Sequence, residues 1–331
     1  MAQCRSSPPP AVSAQPHTSP SRDRRLLRLL LRLLLVTFAA TLGLELAIRF
    51  FLFSSVASDW AVARRLRQPR LYADWRNEER WYVLQHLWLP PENRDRRPPR
   101  MPHHDPRVGW TSDRFLPGTY EHLDEGELGG RRPILLFGDS FSACVANAGI
   151  CFEALLEESG LGERYALLNY GVNGYGLDQT YLLMEPVLDR FAALDPIVIV
   201  GLLVDDDLDR CLLDFRSWPK PRLRVEAGDL SLPASPVPTM EEYLADAPPL
   251  PSSYSLELFR SALGWRALGD DAAQASEKQR LAQAILGAIT AELRSRGLGF
   301  FFLLFNAPET TLDPLLLEWR QSLVREELER N

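Results

Sequence analysis

From Arg132 onward the chain alternates short apolar runs with longer amphipathic ones. Pro133–Phe137, Tyr165–Asn169, Pro196–Val204 and Gly299–Phe305 are apolar almost throughout. Runs of that length predict parallel strands covered on both faces. Phe152–Ser159, Leu177–Leu194, Ser276–Arg296 and Leu315–Arg330 carry helical spacing instead; in the second of these, Tyr181, Leu182, Met184 and Leu188 supply the apolar positions. The alternation predicts an α/β domain of three layers, α/β/α, built on a parallel sheet. One stretch breaks the rhythm. Residues 216–251 are rich in proline and read as an insertion, with a small hairpin over Leu223–Leu232 turning at Ala227-Gly228-Asp229. Following the third strand, the insertion is expected over the sheet edge where that strand ends. Substrate selection is the role that position predicts; a disordered surface insert is the alternative.

The same patterning divides the N-terminal part. Residues 1–25, rich in Pro, Ser and Arg, predict a disordered basic segment. Residues 26–53 predict one transmembrane helix, and Leu33–Phe53 within it already supplies about 20 mostly apolar residues, enough to span a bilayer. A cleaved signal peptide is the rival reading; against it stand the length of the run and the want of a clean small-x-small cleavage site. Glu45 and Arg49 interrupt the run. Spaced i, i+4 with the acid first, they are expected to pair on one helix face. Arg22, Arg24, Arg25, Arg28 and Arg32 precede the span and favour a cytoplasmic N-terminus with the domain outside; Arg64, Arg65, Arg67 and Arg70 work against that orientation. Residues 54–106, with Trp60, Trp75, Trp81 and Trp88, read as a juxtamembrane segment of helices and linker, either at the membrane surface or docked on the domain. The domain itself takes residues 107–331.

Charge narrows the partners. The formal net charge is −7, yet residues 1–53 hold seven arginines against Asp23 and Glu45. The remainder is therefore more acidic than the whole, which argues against a nucleic-acid partner. The partner the span predicts is a lipid bilayer. No standard nucleotide-binding glycine loop is present, and no cofactor is expected. His103-His104 are adjacent histidines without further ligands; they read as loop, and no metal is expected.

The candidate chemistry sits at the strand ends. Gly138-Asp139-Ser140 breaks the first strand, and a helix is expected soon afterwards. A serine on a tight turn at the carboxyl end of a parallel strand presents its hydroxyl at the edge where open α/β sheets place their sites. Backbone N–H groups of such a turn can receive an oxyanion. Taken alone, Asp139 and Ser140 read equally as helix caps. Two further strand ends shift that balance: Leu167–Gln179 ends in a turn with Gly171, Gly174 and Gly176, and Ile197–Arg210 runs into Asp205-Asp206-Asp207.

These three ordered blocks resemble the SGNH (GDSL) hydrolase family, over about Gly109 to Pro308. The resemblance implies a flavodoxin-like α/β/α fold, a nucleophile at Ser140, an oxyanion-hole glycine at Gly174, and a third block at Asp206, with Asp139 beside the nucleophile. His103–Trp110 likewise resembles the lead-in segment of membrane-anchored members. Two departures stand out. The family's third block usually offers an Asn side-chain N–H, whereas Asp206 as a carboxylate only accepts. The family's last block, Asp-x-x-His, supplies the general base, and none of His17, His86, His103, His104 and His122 follows Ser140. Losing the base of a serine nucleophile costs on the order of 10⁴- to 10⁶-fold in rate.

The reading is thus a membrane-anchored ester hydrolase, acting on an acyl ester such as the O-acyl groups of an envelope glycan. The alternatives are an impaired binding or scaffold protein on the same fold and an O-acetyltransferase of an envelope polysaccharide. The sequence is read as a fragment of a longer enzyme or as a degenerate member. Cys144 and Cys151 flank the site and Cys211 follows the third block, but no spacing demands a disulfide; Cys144 lacks the glycine turn of a nucleophile.

Overall fold

The computed structural model describes residues 20–73, 79–88, 103–116, 118–144, 151–204, 206–216, 218–232, 236–246, 248–264, 271–305 and 314–330. Trp75, Asp205 and residues 89–102 of the juxtamembrane segment lie outside them. The helices are α1 (Pro20–Phe53), α2 (Ala61–Leu66), α3 (Glu79–Trp88), α4 (Phe152–Glu158), α5 (Leu177–Phe191), α6 (Asp207–Arg210), α7 (Met240–Ala245), α8 (Tyr254–Ala262), α9 (Asp271–Ser295) and α10 (Pro314–Arg330). The strands used below are β1 (His103–Asp105), β2 (Gly109–Thr111), β3 (Arg132–Gly138), β4 (Tyr165–Gly171), β5 (Ile197–Leu203), β6 (Arg224–Glu226), β7 (Asp229–Ser231) and β8 (Gly299–Phe305).

The four apolar runs form one parallel sheet in the order β8-β5-β3-β4. One face carries Leu135, Phe137, Leu168, Tyr170, Val198, Val200 and Leu202 into a continuous core with α5, α9 and α10. The opposite face is less covered: α4 packs against β4, while Ile134, Ile197 and Ile199 are half-buried and Phe301 is exposed. The chain is therefore an α/β protein, as its alternation predicts.

Two local expectations shift. Residues 140–144 form turns rather than a helix, and the next described helix begins at Phe152. His103 and His104 are strand rather than loop, paired with Thr111 and Trp110. The hairpin β6–β7 does form. Ala227 (φ 53°) and Gly228 (φ 97°) both take left-handed backbone, the geometry of a two-residue turn matching strand twist. It lies against α9.

α1 holds 34 residues, and its stretch Leu26–Phe53 is long and apolar enough to cross a membrane. Its last turns belong to the folded body. Ile48 and Leu52 are buried with Tyr72, Leu84 and Tyr254. The expected pair forms, Arg49 Nε donating to Glu45 Oε1 at 2.7 Å. Glu45 does more than the sequence announces. It accepts the backbone N–H groups of Tyr254 (3.1 Å) and Ser255 (2.9 Å) and the hydroxyls of Ser253 and Ser255, so it caps the first turn of α8. Arg49 completes the clamp by donating to Ser252 O at 3.0 Å.

Candidate active site

Three glycines build the floor of the site. Gly138, Gly171 and Gly201 lie side by side near the carboxyl ends of β3, β4 and β5. The turn 139–144 rests directly on them. A Cβ on Gly138 would meet Ser142 Oγ at 2.2 Å and Gly201 O at 2.6 Å; one on Gly171 would meet Ala143 N at 2.4 Å; one on Gly201 would meet Ser142 Oγ at 2.0 Å. Gly138 also has φ 147°, a region open essentially to glycine alone. Close approach, then, is why the apolar runs carry glycine at this level.

The turn is held from every side. Asp139 Oδ1 accepts Phe141 N–H at 2.9 Å, and Asp139 O accepts Ala143 N–H at 2.8 Å. Asn169, fully buried, donates Nδ2 to Ser142 O at 2.9 Å and accepts Gly171 N–H at 3.0 Å. Arg114 Nη2 donates to Ala143 O at 3.0 Å. Ser140 emerges half-buried from this scaffold, its hydroxyl 3.4 Å from Asp139 Oδ2. Beside it, Phe141 packs on Phe305 at the end of β8.

Gly174 sits on the turn between β4 and α5 with φ 84°, again a backbone that favours glycine. The lead-in segment fixes this turn. Trp110 Nε1 donates to Asn173 O at 3.2 Å, Tyr175 Oη donates to Trp110 O, and Gln179 Nε2 donates to Val108 O at 2.7 Å. Neither the Ser140 nor the Gly174 backbone N–H meets an acceptor among the described residues.

The residue that joins the three strand ends is Arg210, which sequence reasoning missed. Its guanidinium is buried. Nη1 donates to Tyr175 O (2.6 Å), Asp207 Oδ1 (2.8 Å) and Asp139 Oδ2 (3.4 Å), and Nη2 donates to Asp206 Oδ2. So the turn after β3, the turn after β4 and the acidic end of β5 meet on one cation. Burial opposes the charge on Arg210, but Asp207, Asp206 and Asp139 together hold its pKa above the usual arginine value. Burial pushes Asp207 well above the usual carboxylate range against the pull of Arg210. Asp206 Oδ2 is also bonded by Arg216 Nη2 at 3.1 Å, so this carboxylate oxygen is spent on two guanidinium groups. The sequence offered one partial signal: a run of three aspartates after a buried strand favours a nearby cation, without saying which.

A second buried pair braces the back of the site. Lys220 Nζ bonds Asp178 Oδ2 and donates to the carbonyls of Arg210, Leu213 and Pro221, each at 3.1 Å. It ties the start of α5 to the loop after α6. No histidine hydrogen-bonds Ser140 among the described residues. His122 is buried against Phe115 and Tyr170, its Nδ1 accepting Asp124 N–H at 3.2 Å. No cluster of potential metal ligands occurs among the described residues.

Among solved structures the chain is similar to two mutants of the esterase AlinE4, at 18% and 17% sequence identity. Each comparison covers 60% of this chain and 72% of that one, with a TM-score of 0.33. No protein-family model and no curated protein matches the sequence.

Proposed function

We propose that the chain is a membrane-anchored ester hydrolase in which Ser140 is the nucleophile. The observation that carries this reading is the pair of backbone N–H groups, Ser140 and Gly174, that meet no acceptor among the described residues and lie on the turns after β3 and β4 at one sheet edge. Ser140 Oγ attacks the ester carbonyl as its proton passes to a base from solvent; the two N–H groups receive the oxyanion, the protonated alcohol departs, and water hydrolyses the acyl-serine to the acid. Asp139 positions the turn through Phe141 N–H and lies closest to the serine hydroxyl. Asp206 is an electrostatic brace through Arg210 and Arg216 rather than an oxyanion donor. The acyl ester we assign is an O-acyl group on an envelope glycan, reached from the membrane to which α1 anchors the domain.

One observation favours a second reading, a glycan-binding protein on the same frame: no histidine meets Ser140 among the described residues. Reaction of the full chain in detergent with a fluorophosphonate separates the two. Labelling that disappears in Ser140→Ala supports the hydrolase. A folded protein that stays unlabelled at millimolar probe supports binding and overturns catalysis by Ser140 in this chain.

A further inference from the structure

α8 is apolar on two sides. Tyr254 and Leu258 face inward, against Leu52, Tyr72 and Leu84. Leu256, Phe259 and Leu263, spaced i, i+3 and i+7, point the other way and remain 45%, 56% and 46% exposed. Leu256 and Phe259 on α8 and Leu263 at its C-terminal cap together form an exposed apolar face.

The position of this helix supplies the occupant. Glu45 caps α8 from within α1, and Phe53 of α1 packs edge-on against Tyr254. Glu45 lies eight residues before the end of α1, or roughly 12 Å along its axis. The apolar part of α1 that precedes it, Leu26–Leu44, is roughly 28 Å long with Arg28 and Arg32 in its first turns, and both arginines can snorkel toward the surface. A bilayer core is ~30 Å thick. Whatever seats α1 in a bilayer therefore brings α8 to the bilayer surface. The surroundings suit that level: Trp60 and Val62 are about half exposed, with Arg64 and Arg65 beside them and Arg260 on α8 itself. Tryptophan and arginine are at home in the headgroup region.

We propose that the outer face of α8 is a membrane-surface seat, with Leu256, Phe259 and Leu263 buried at the boundary of headgroups and acyl chains. The helix then lies in the interface in the manner of an amphipathic anchor. With α1 crossing the bilayer and α8 lying on it, two separate contacts fix the domain's orientation. The inference rests on the anchoring role of α1, and the test separates the two.

The full chain carries the photoreactive residue p-benzoyl-phenylalanine in place of Phe259, Leu256, Leu35 or, as a control on the exposed side of α9, Arg294. Each protein is reconstituted in vesicles of phosphatidylcholine with one-fifth phosphatidylglycerol, irradiated, and read by mass. Lipid adducts at 259, 256 and 35, at least ten-fold above those at 294, are expected. Adducts at 35 with none at 259 and 256 overturn the seat while leaving the anchor. Cross-links from 259 to a second copy of the chain also overturn it. Adducts at 259 and 256 with none at 35 retain the seat and overturn the spanning role of α1. No lipid adduct anywhere overturns both. All four positions are exposed or on the apolar helix, so none of these replacements removes a core contact.

Discussion

Replacing Arg210 by methionine keeps the aliphatic stem and deletes the cation on which three turns converge. Four acceptors lose a donor: Asp139 Oδ2, Asp206 Oδ2, Asp207 Oδ1 and Tyr175 O. Asp206 retains Arg216, so the loss falls mainly on Asp139 and Asp207, both buried. Removing one partner of a buried ion pair costs about 3–5 kcal/mol. For a domain of this size each kcal/mol moves Tm by about 2–4 °C, so Arg210→Met is expected to lower Tm by roughly 6–20 °C at pH 7. The pH dependence has a definite sign. Asp207 already has its folded pKa above the unfolded value, because burial outweighs the attraction of Arg210. Such a group favours the folded state at low pH, and that contribution is lost as pH rises through the folded pKa. Without Arg210 the folded pKa rises further. The Asp207 part of the deficit therefore appears as pH rises through the folded pKa of Asp207 and is absent below it, so the deficit grows with pH. Thermal scans of the full chain in detergent, wild type and variant side by side from pH 4 to 8, read both quantities. Arg210→Lys, which keeps a charge but has one ammonium for three turns, should fall between them. A drop below about 2 °C at pH 7, or a deficit that is flat with pH, would refute the idea that Arg210 is the tie.

Gly138→Ala should destabilise by about 2–4 kcal/mol, combining overpacking against Ser142 and Gly201 with a strained φ, and should abolish fluorophosphonate labelling; a near-neutral effect in denaturant titration would show that the turn can lift. His122 has its pKa lowered first by burial, so the unfolded chain binds the extra proton and stability declines as pH falls below about 6.5. His122→Asn, which preserves an acceptor for Asp124 N–H, should flatten that decline between pH 6.5 and 5; an unchanged acid limb measured by urea midpoints would exclude His122 as its source. Burial first, then the Cys151 thiol, raises Cys144 to about 11. Its alkylation should accordingly be slow at pH 7 and accelerate about ten-fold per pH unit up to that region; a plateau near pH 8 in a stopped-time iodoacetamide assay would contradict the geometry.

The sheet was legible because its four strands are apolar on both faces, and the start of β8 and both flanks of the hairpin turn were readable from residue type alone. The arrangement over the strand ends was legible only in part. Gly138, Ser140 and Gly174 announced themselves as a turn, and the structure puts the turns of β3, β4 and β5 on one edge. Arg210 was hidden because a cation's partners depend on which strand ends become neighbours, and spacing along the chain does not carry that. Gly201 was hidden for a similar reason: inside an apolar run it reads as a small strand residue, and only the packed turn above it shows why a side chain is excluded. The helix expected soon after Ser140 gives way to turns pinned by Asn169 and Arg114, distant residues whose hydrogen bonds override local propensity.

The clamp between Glu45 and α8 has a consequence for the order of events during synthesis. Its two halves are separated by 209 residues at Tyr254, so the carboxylate leaves the ribosome long before the N–H groups that will satisfy it. At about 5–20 residues per second the wait is about 10–40 s. Throughout that interval the acid sits at the end of an apolar helix with only local partners. Arg49, one turn away and reachable as soon as the helix forms, neutralises it in the meantime. The ion pair thus gives the carboxylate a local partner from the moment the helix forms, and the last third of the protein later adds the Ser253–Ser255 donors to it.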